Sequence, residues 1–263
     1  MKVGHCQAIS FEPSFPSGDG GFLFSGTDFL GYNAVKLSIV KRAMDTQDDF
    51  VRIKRQYNKG PLRKAQIMDA VVSILGEPIQ VRFTTKEIAA KIGVSEACLY
   101  RHFSGKAEIL GEVLKRTAQL LDVTLRSADS YPQVTMVNRV YLKLRYLLLF
   151  AEKNPGLTRV LTGEALVYED ASLSSGKNEI LRRVRESIKN SLVLASVNRE
   201  ISGTFDAATR AHLMLDFVMA QWLRFSQSGF KEQPTAFLDQ AAPVLFSFAD
   251  WSVLIRTLHT DSP

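Results

Sequence analysis

The fold of this 263-residue chain is decided by the stretch Phe83-Thr-Thr-Lys-Glu-Ile-Ala-Ala-Lys-Ile-Gly-Val-Ser-Glu-Ala-Cys-Leu-Tyr-Arg-His-Phe103. Thr84 and Glu87 have the spacing of a capping box, which predicts the start of a helix of about two turns. Gly93 ends that helix, and Ser95 is a capping residue that opens a second short helix. Two short helices joined by a tight turn indicate a helix-turn-helix, whose second helix enters the major groove of DNA.

Apolar residues recur at helical spacing on both sides of this motif. Pro61 begins one predicted helix that Gly76 ends, and Ser104–Gly105 begins a longer amphipathic helix through Leu125. We predict further helices at about 134–154, 173–199, 206–228 and 235–258, with a short element after Pro155. No stretch alternates as strands do. The pattern therefore predicts an all-α protein, with a three-helix DNA-binding domain at 51–105 and a helical dimerisation and partner-binding domain at 106–263.

The first 50 residues differ from the rest of the chain. They mix Gly, Ser, Pro and Phe without a period of 2 or 3.6, which is typical of a disordered segment. Because Met44 is followed at once by the acidic Asp45–Asp49 and then by basic helix-forming sequence, the segment is alternatively a spurious N-terminal extension. It also lacks the pattern of a secretory signal, and the longest apolar run, Tyr146–Ala151, is far too short to span a bilayer. With only two cysteines, we expect a cytoplasmic protein.

Basic charge is concentrated around the helix-turn-helix. Residues 51–126 carry 14 Lys and Arg against 7 Asp and Glu, whereas 1–50 and 127–263 are close to neutral. A basic module joined to a nearly neutral one is typical of a nucleic-acid-binding protein with a separate dimerisation or sensing domain. A solvated basic face without a partner is the alternative.

Motifs of enzymes are missing from the sequence. It contains no Gly-x-Ser-x-Gly, no Gly-rich phosphate loop and no metalloprotease pair of histidines, so we expect no enzyme, no catalytic residues and no cofactor. Cys98 and His102 share a helix face at i and i+4. Two local ligands do not make a zinc site, and we expect no metal.

The helix-turn-helix, with its Leu-Tyr-Arg-His-Phe ending and Lys106 after it, resembles the DNA-binding domain of the TetR family of transcriptional regulators. The resemblance covers about residues 61–126, and the helical remainder fits the dimerisation domain of that family. It implies a homodimer that binds double-stranded DNA at a palindromic site, with recognition helices about 34 Å apart. We predict these DNA-binding residues: Thr84, Thr85, Ser95, Glu96, Ala97, Tyr100, Arg101, His102 and Lys106.

Each of these residues has a physical role to test. Thr84 and Thr85 begin a helix whose free amides favour a phosphate, although capping alone would also explain them. Glu96 and Ala97 are placed to contact cytosine and thymine, or else form an exposed face. By resemblance, the side chains of Tyr100, His102 and Lys106 contact phosphates, while Arg101 faces either the DNA backbone or solvent.

A second stretch, Glu152–Glu169, is similar to nucleoid occlusion factors within the TetR family. In those proteins a TetR-type dimer binds chromosomal DNA and antagonises the tubulin-like division protein FtsZ. The resemblance implies a nucleoid-associated inhibitor of FtsZ ring assembly, with a groove for the C-terminal peptide of FtsZ between two body helices. We predict these partner-binding residues: Arg116, Tyr146, Leu147, Lys153 and Asn154. Core leucines and a structural Asn-Pro-Gly helix stop are the alternative.

Two further expectations concern the C-terminal helices. Their apolar residues are too many for an exposed surface, so we expect part of them to form the core and part a two-fold interface. The alternative function for the whole chain is a ligand-responsive repressor of the TetR type, in which a small molecule changes the spacing of the recognition helices.

Overall fold

The computed structural model describes residues 59–79, 83–130, 134–201 and 206–247. The first 50 residues and the C-terminal 248–263 lie outside this range, so the expectation for the N-terminal segment stays untested. In chain order the helices are α1 (Lys59–Leu75), α2 (Thr85–Lys91), α3 (Glu96–Tyr100), α4 (Lys106–Asp129), α5 (Met136–Lys153), α6 (Pro155–Thr162), α7 (Ala171–Val197), α8 (Ala207–Gln227) and α9 (Leu238–Leu245). Short 3-10 turns occupy Glu164–Leu166 and Pro234–Phe237.

Within the described residues every regular element is helical, which confirms the all-α prediction. We refer to residues 59–105 as the head and to residues 106–247 as the body. In the head, α1 packs against α2 and α4, and α2 packs against α3. Ile67, Ile88, Leu99 and Phe103 fill the space between them and are at most 2% exposed. The regular spacing of these apolar residues in the sequence is therefore the spacing of one packed core.

The body is a bundle in which α4, α5, α7 and α8 pack against one another. Trp222 of α8 is fully buried, and its indole Nε1 donates a hydrogen bond to the Leu147 carbonyl of α5 at 2.9 Å. Buried apolar residues continue without a break from this bundle into the head. The short helix α6 lies at the junction, where it contacts both α1 and α8.

The predicted helix at 235–258 is different in the structure. It begins as the 3-10 turn Pro234–Phe237, continues as α9 and ends at Leu245, followed by Phe246 at the C-cap. Pro243 within α9 has no amide to donate to the preceding turn, which accounts for an early end. The remainder of the predicted span, 248–258, lies outside the described residues. None of the helices in the described part of the chain is long and apolar enough to cross a membrane.

Candidate nucleic-acid interface and partner surface

The first helix of the motif begins with the predicted capping box. Thr84 Oγ1 accepts a hydrogen bond from the Glu87 amide at 3.2 Å, and the Thr84 amide donates to Glu87 Oε2 at 2.6 Å. Thr84 is exposed beside these amides, and Glu87 already occupies part of the positive helix end. A phosphate at Thr84 therefore has to share this helix start with a carboxylate of the chain itself.

Thr85 connects the two helices of the motif. Its Oγ1 donates a short hydrogen bond to Glu96 Oε1, the carboxylate on the first residue of α3. This contact brings together a predicted phosphate ligand and a predicted base-contacting residue. It also fixes the orientation of the Glu96 carboxylate before any DNA is bound.

Ser95 departs from the prediction that it caps the recognition helix α3. Its backbone has the extended geometry of an N-cap, but its side chain makes no capping hydrogen bond. The residue is exposed, so its hydroxyl is accessible to DNA. Ala97, Tyr100 and Arg101 are exposed as well, and His102 is half-buried in the turn that follows α3.

Lys106 lies at the start of α4 in a more enclosed setting. Its Nζ is 2.6 Å from Glu169 Oε1 of the body and 4.2 Å from the centre of the Phe83 ring of the head. The Lys106 and Glu169 side chains are only 26% and 16% exposed. Glu169 could not be identified from the sequence as a partner of Lys106, because the two residues are distant along the chain. A DNA phosphate at Lys106 has to compete with this carboxylate or share the ammonium with it.

The predicted partner-binding residues divide into two groups. Arg116 is exposed on α4 and forms an ion pair with Asp69 of α1, with Nη1 and Oδ1 2.5 Å apart. Lys153 is exposed at the end of α5, and Tyr146 is half-buried on the same helix. These three side chains are open to a bound peptide to different degrees.

Leu147 and Asn154 have structural positions instead. Leu147 is fully buried in the body core, so its side chain cannot touch a partner, and the prediction for this residue is wrong. The Asn154 side-chain amide donates to the Phe150 carbonyl at 2.8 Å, and its own carbonyl accepts from the Thr158 amide at 2.9 Å. Asn154 thereby ends α5 and begins α6, which is the helix stop named as the alternative.

Apolar side chains remain exposed at several places on the body, among them Leu120, Val167, Tyr168, Phe237 and Val244. Five more lie at the end of α7 and along α8: Val193, Leu194, Val197, Leu213 and Leu223. Other apolar residues of the C-terminal helices, such as Val218, Trp222 and Phe225, are buried in the bundle. His212 is exposed beside Leu213. Among the described residues, no three His, Cys, Asp or Glu side chains are grouped as metal ligands.

Comparison with known proteins agrees with this division into head and body. Residues 82–113 match the model of bacterial regulatory proteins of the tetR family, and residues 133–249 match the SlmA-like model of the tetracyclin repressor-like C-terminal domain. The nucleoid occlusion factor SlmA of Idiomarina loihiensis is 34% identical over 173 residues, which are 66% of this chain and 88% of the relative. SlmA of Vibrio cholerae serotype O1 is 34% identical over 184 residues, covering 70% and 93% of the two chains.

The chain belongs to the SlmA family of nucleoid occlusion factors. The TetR family that includes SlmA is one of DNA-binding regulators that form dimers, and this chain is accordingly a DNA-binding nucleoid occlusion factor. Solved structures share its fold. The fatty acid degradation regulator FadR from Bacillus halodurans has a TM-score of 0.61 at 18% identity and covers 71% of this chain and 95% of its own. FadR from Bacillus subtilis in complex with stearoyl-CoA has a TM-score of 0.59 at 19% identity and covers 71% and 99%.

Proposed function

We propose that two copies of this chain form a non-enzymatic homodimer that binds palindromic chromosomal DNA through its heads and inhibits FtsZ ring assembly through its bodies. The protein acts in the cytoplasm, on the nucleoid. DNA-bound copies hold the C-terminal peptide of FtsZ at high local concentration, and ring assembly over the chromosome becomes unfavourable. Membership of the SlmA family is the observation that carries this proposal.

The exposed face of the recognition helix supports the DNA-binding role. Ser95 and Ala97 lie at its start, where a major-groove helix contacts base edges, and Tyr100 and Arg101 lie at its end, where phosphates run. Lys106 lies at the N-terminus of the next helix. Thr85 and Glu96 are held together by their hydrogen bond, which we expect to orient the free carboxylate oxygen of Glu96 for a cytosine amine.

The exposed apolar group on α7 and α8 supports the dimer. Val197 and Leu213 are 72% and 51% exposed, and apolar side chains this exposed are favourably buried by a second copy. A two-fold contact makes each patch meet its own copy, so one patch per chain is enough. With α7 and α8 at the dimer centre, we expect the two heads to reach successive turns of the DNA major groove.

The peptide site that we propose is the surface of α4 and α5 around Arg116, Tyr146 and Lys153. These helices carry two exposed cations and a half-buried aromatic ring, side chains that can bind the carboxylates and apolar side chains of an extended peptide. Leu147 is not part of the proposed site, because its side chain is fully buried. Asn154 positions Lys153 by ending α5.

The test is light scattering of purified FtsZ assembly with the wild type and with the double variant Arg116→Ala/Lys153→Ala, each with and without the preferred DNA. We expect the wild type to reduce assembly and the double variant to lose most of this effect while binding DNA normally. A matched control, Arg182→Ala/Lys189→Ala, removes one exposed and one half-buried cation from α7. No interaction of the wild type with FtsZ in either state, alongside intact DNA binding, would overturn the FtsZ part of the proposal.

A further inference from the structure

The head and the body meet at a close backbone contact. The N-terminal turn of α6 lies against the C-terminal half of α1, and a Cβ atom on Gly156 would be 2.0 Å from the Val72 carbonyl oxygen. Only glycine allows this approach, because any side chain would push the two helices apart. The position of α1, and therefore of the head, is set at this point by a helix of the body.

Arg159 reinforces the contact from within the same helix. Arg159 is 2% exposed, and its guanidinium donates to the last carbonyl of α1 and to two carbonyls of the turn that follows it. Nη1 donates to the Leu75 and Glu77 oxygens at 2.8 and 2.5 Å, and Nη2 donates to the Pro78 oxygen at 2.8 Å. The last carbonyls of a helix lack partners within the helix, and a cation there also complements the helix dipole. One side chain of the body thus caps the first helix of the head.

The same guanidinium is tied to α8. Its Nε donates to Ser226 Oγ at 3.3 Å, and Ser226 in turn donates a short hydrogen bond to the Glu164 carboxylate. The guanidinium carbon lies 4.5 Å from the centre of the Phe230 ring, just after α8. Arg159 therefore bridges the head and the helix that carries the proposed dimer face.

This bridge matters because the chain passes from head to body at Gly105–Lys106, where α4 begins. The head also rests on α4 through the packing of α1 and through the ion pair of Arg116 with Asp69. The three contacts that Arg159 makes with the end of α1 and with the turn after it join the head to α6 as well, and they oppose a rotation of the head about α4. Any pivot would be transmitted through α1 and α2 to the recognition helix, so it would change the distance between the two recognition helices of a dimer.

We propose that Arg159 is a positioning residue that sets the separation of the two recognition helices, and with it the half-site spacing that the dimer accepts. The inference rests on the paired-head dimer proposed above. Lysine cannot replace arginine in this role, because its ammonium lacks the planar fork that reaches several carbonyls at once. Arg159→Lys keeps the charge and most of the volume, and loosens the head without removing any DNA contact.

The experiment first selects the preferred palindrome of the wild type from random-sequence DNA. Binding is then measured for that palindrome and for versions with one or two base pairs added or removed between the half-sites. We expect the wild type to lose at least tenfold in affinity when the spacing changes by one base pair, and Arg159→Lys to lose less than threefold. The control Arg182→Lys alters an exposed arginine whose guanidinium donates two hydrogen bonds to the Glu179 carboxylate. We expect this variant to show the same dependence on half-site spacing as the wild type.

An Arg159→Lys dimer, folded by circular dichroism, that retains the wild-type spacing profile overturns the inference. If Arg159→Lys does not fold, Ser226→Ala is measured in its place, since it removes the link from Arg159 to α8, and an unchanged profile again overturns the inference. Failure of the wild type to select any palindrome, despite binding DNA, removes the paired-head dimer and the inference together. A palindrome that is selected but shows no spacing preference removes only the role of Arg159.

Discussion

The two surfaces predicted from the sequence differ in how they are built. On the DNA-binding surface the predicted residues come from one continuous stretch, and most of them are exposed around α2 and α3. On the partner surface the predicted residues come from α4 and α5, and two of the five have structural positions. In a local motif, the spacing of the residues is enough to predict which of them are exposed. On a surface formed by two helices, the exposed residues depend on which face of each helix packs into the core.

A residue on a predicted binding surface can already have a partner within the chain. Thr85, Glu96 and Lys106 all belong to the predicted DNA surface, and each is bonded to another side chain of the protein. Arg116, on the other surface, is bonded to Asp69 of the head. Both surfaces are thus oriented by contacts within the chain before a ligand arrives.

The largest effect that we expect comes from Leu147→Ala. Because Leu147 is fully buried, its truncation leaves a cavity and should lower the free energy of unfolding by about 2–5 kcal/mol, measured by urea denaturation. Leu149→Ala on the same helix removes a half-buried side chain and should cost clearly less. If Leu147→Ala is as stable as the wild type and loses FtsZ binding, Leu147 contacts FtsZ and our assignment of this residue to the core is contradicted.

The next effect concerns the DNA surface. Lys106→Ala should weaken binding to all sequences and lower the slope of log affinity against log salt by about one unit, since one phosphate contact is lost. Lys189→Ala is the matched control, because Lys189 is also ion-paired, 2.7 Å from Glu186, but lies on α7, outside the predicted DNA-binding residues. An unchanged slope for Lys106→Ala would mean that Lys106 serves only in its contacts with Glu169 and with the Phe83 ring of the head.

A smaller pair of effects separates the two neighbours at the end of α5. Asn154→Ala removes the hydrogen bond to the Phe150 carbonyl and should lower the free energy of unfolding by about 1 kcal/mol. Lys153→Ala should leave the stability unchanged and weaken FtsZ binding, because this side chain is exposed. The two variants are compared by thermal unfolding and by pull-down, and a reversal of the two outcomes would contradict our assignment.

The smallest effect appears only in alkaline solution. Burial, together with the hydrogen bond donated to Asp239 at 2.6 Å, raises the pKa of Tyr141 from its ordinary value of 10 to about 12. Between pH 10 and 12 the unfolded chain loses this proton and the folded chain keeps it, so the free energy of unfolding falls as the pH rises. Tyr141→Phe should show a shallower fall over this range in urea titrations. Parallel curves for the two proteins would exclude Tyr141 as the cause.

Much of the fold could be predicted because its signals are local. The capping box at Thr84 and Glu87, the Gly93 turn and the apolar spacing of α1 and α4 all act over a few residues. The Glu152–Glu169 stretch likewise indicated the family by its order of residues alone. Arg159, by contrast, lies within that stretch and was not assigned a role, because the carbonyls that it contacts lie 81 to 84 residues away and Ser226 lies 67 residues away.

The sequence by itself determined the helical class, the helix-turn-helix, the basic character of its surroundings and the similarity to nucleoid occlusion factors. These properties follow from periodicity, capping and residue order, which act between neighbours along the chain. Only the tertiary structure decided that Leu147 is core, that Glu169 holds Lys106 and that Arg159 joins the head to the body. Such contacts join residues far apart in sequence, and no local pattern specifies which distant carbonyl or carboxylate a side chain will meet once the helices pack.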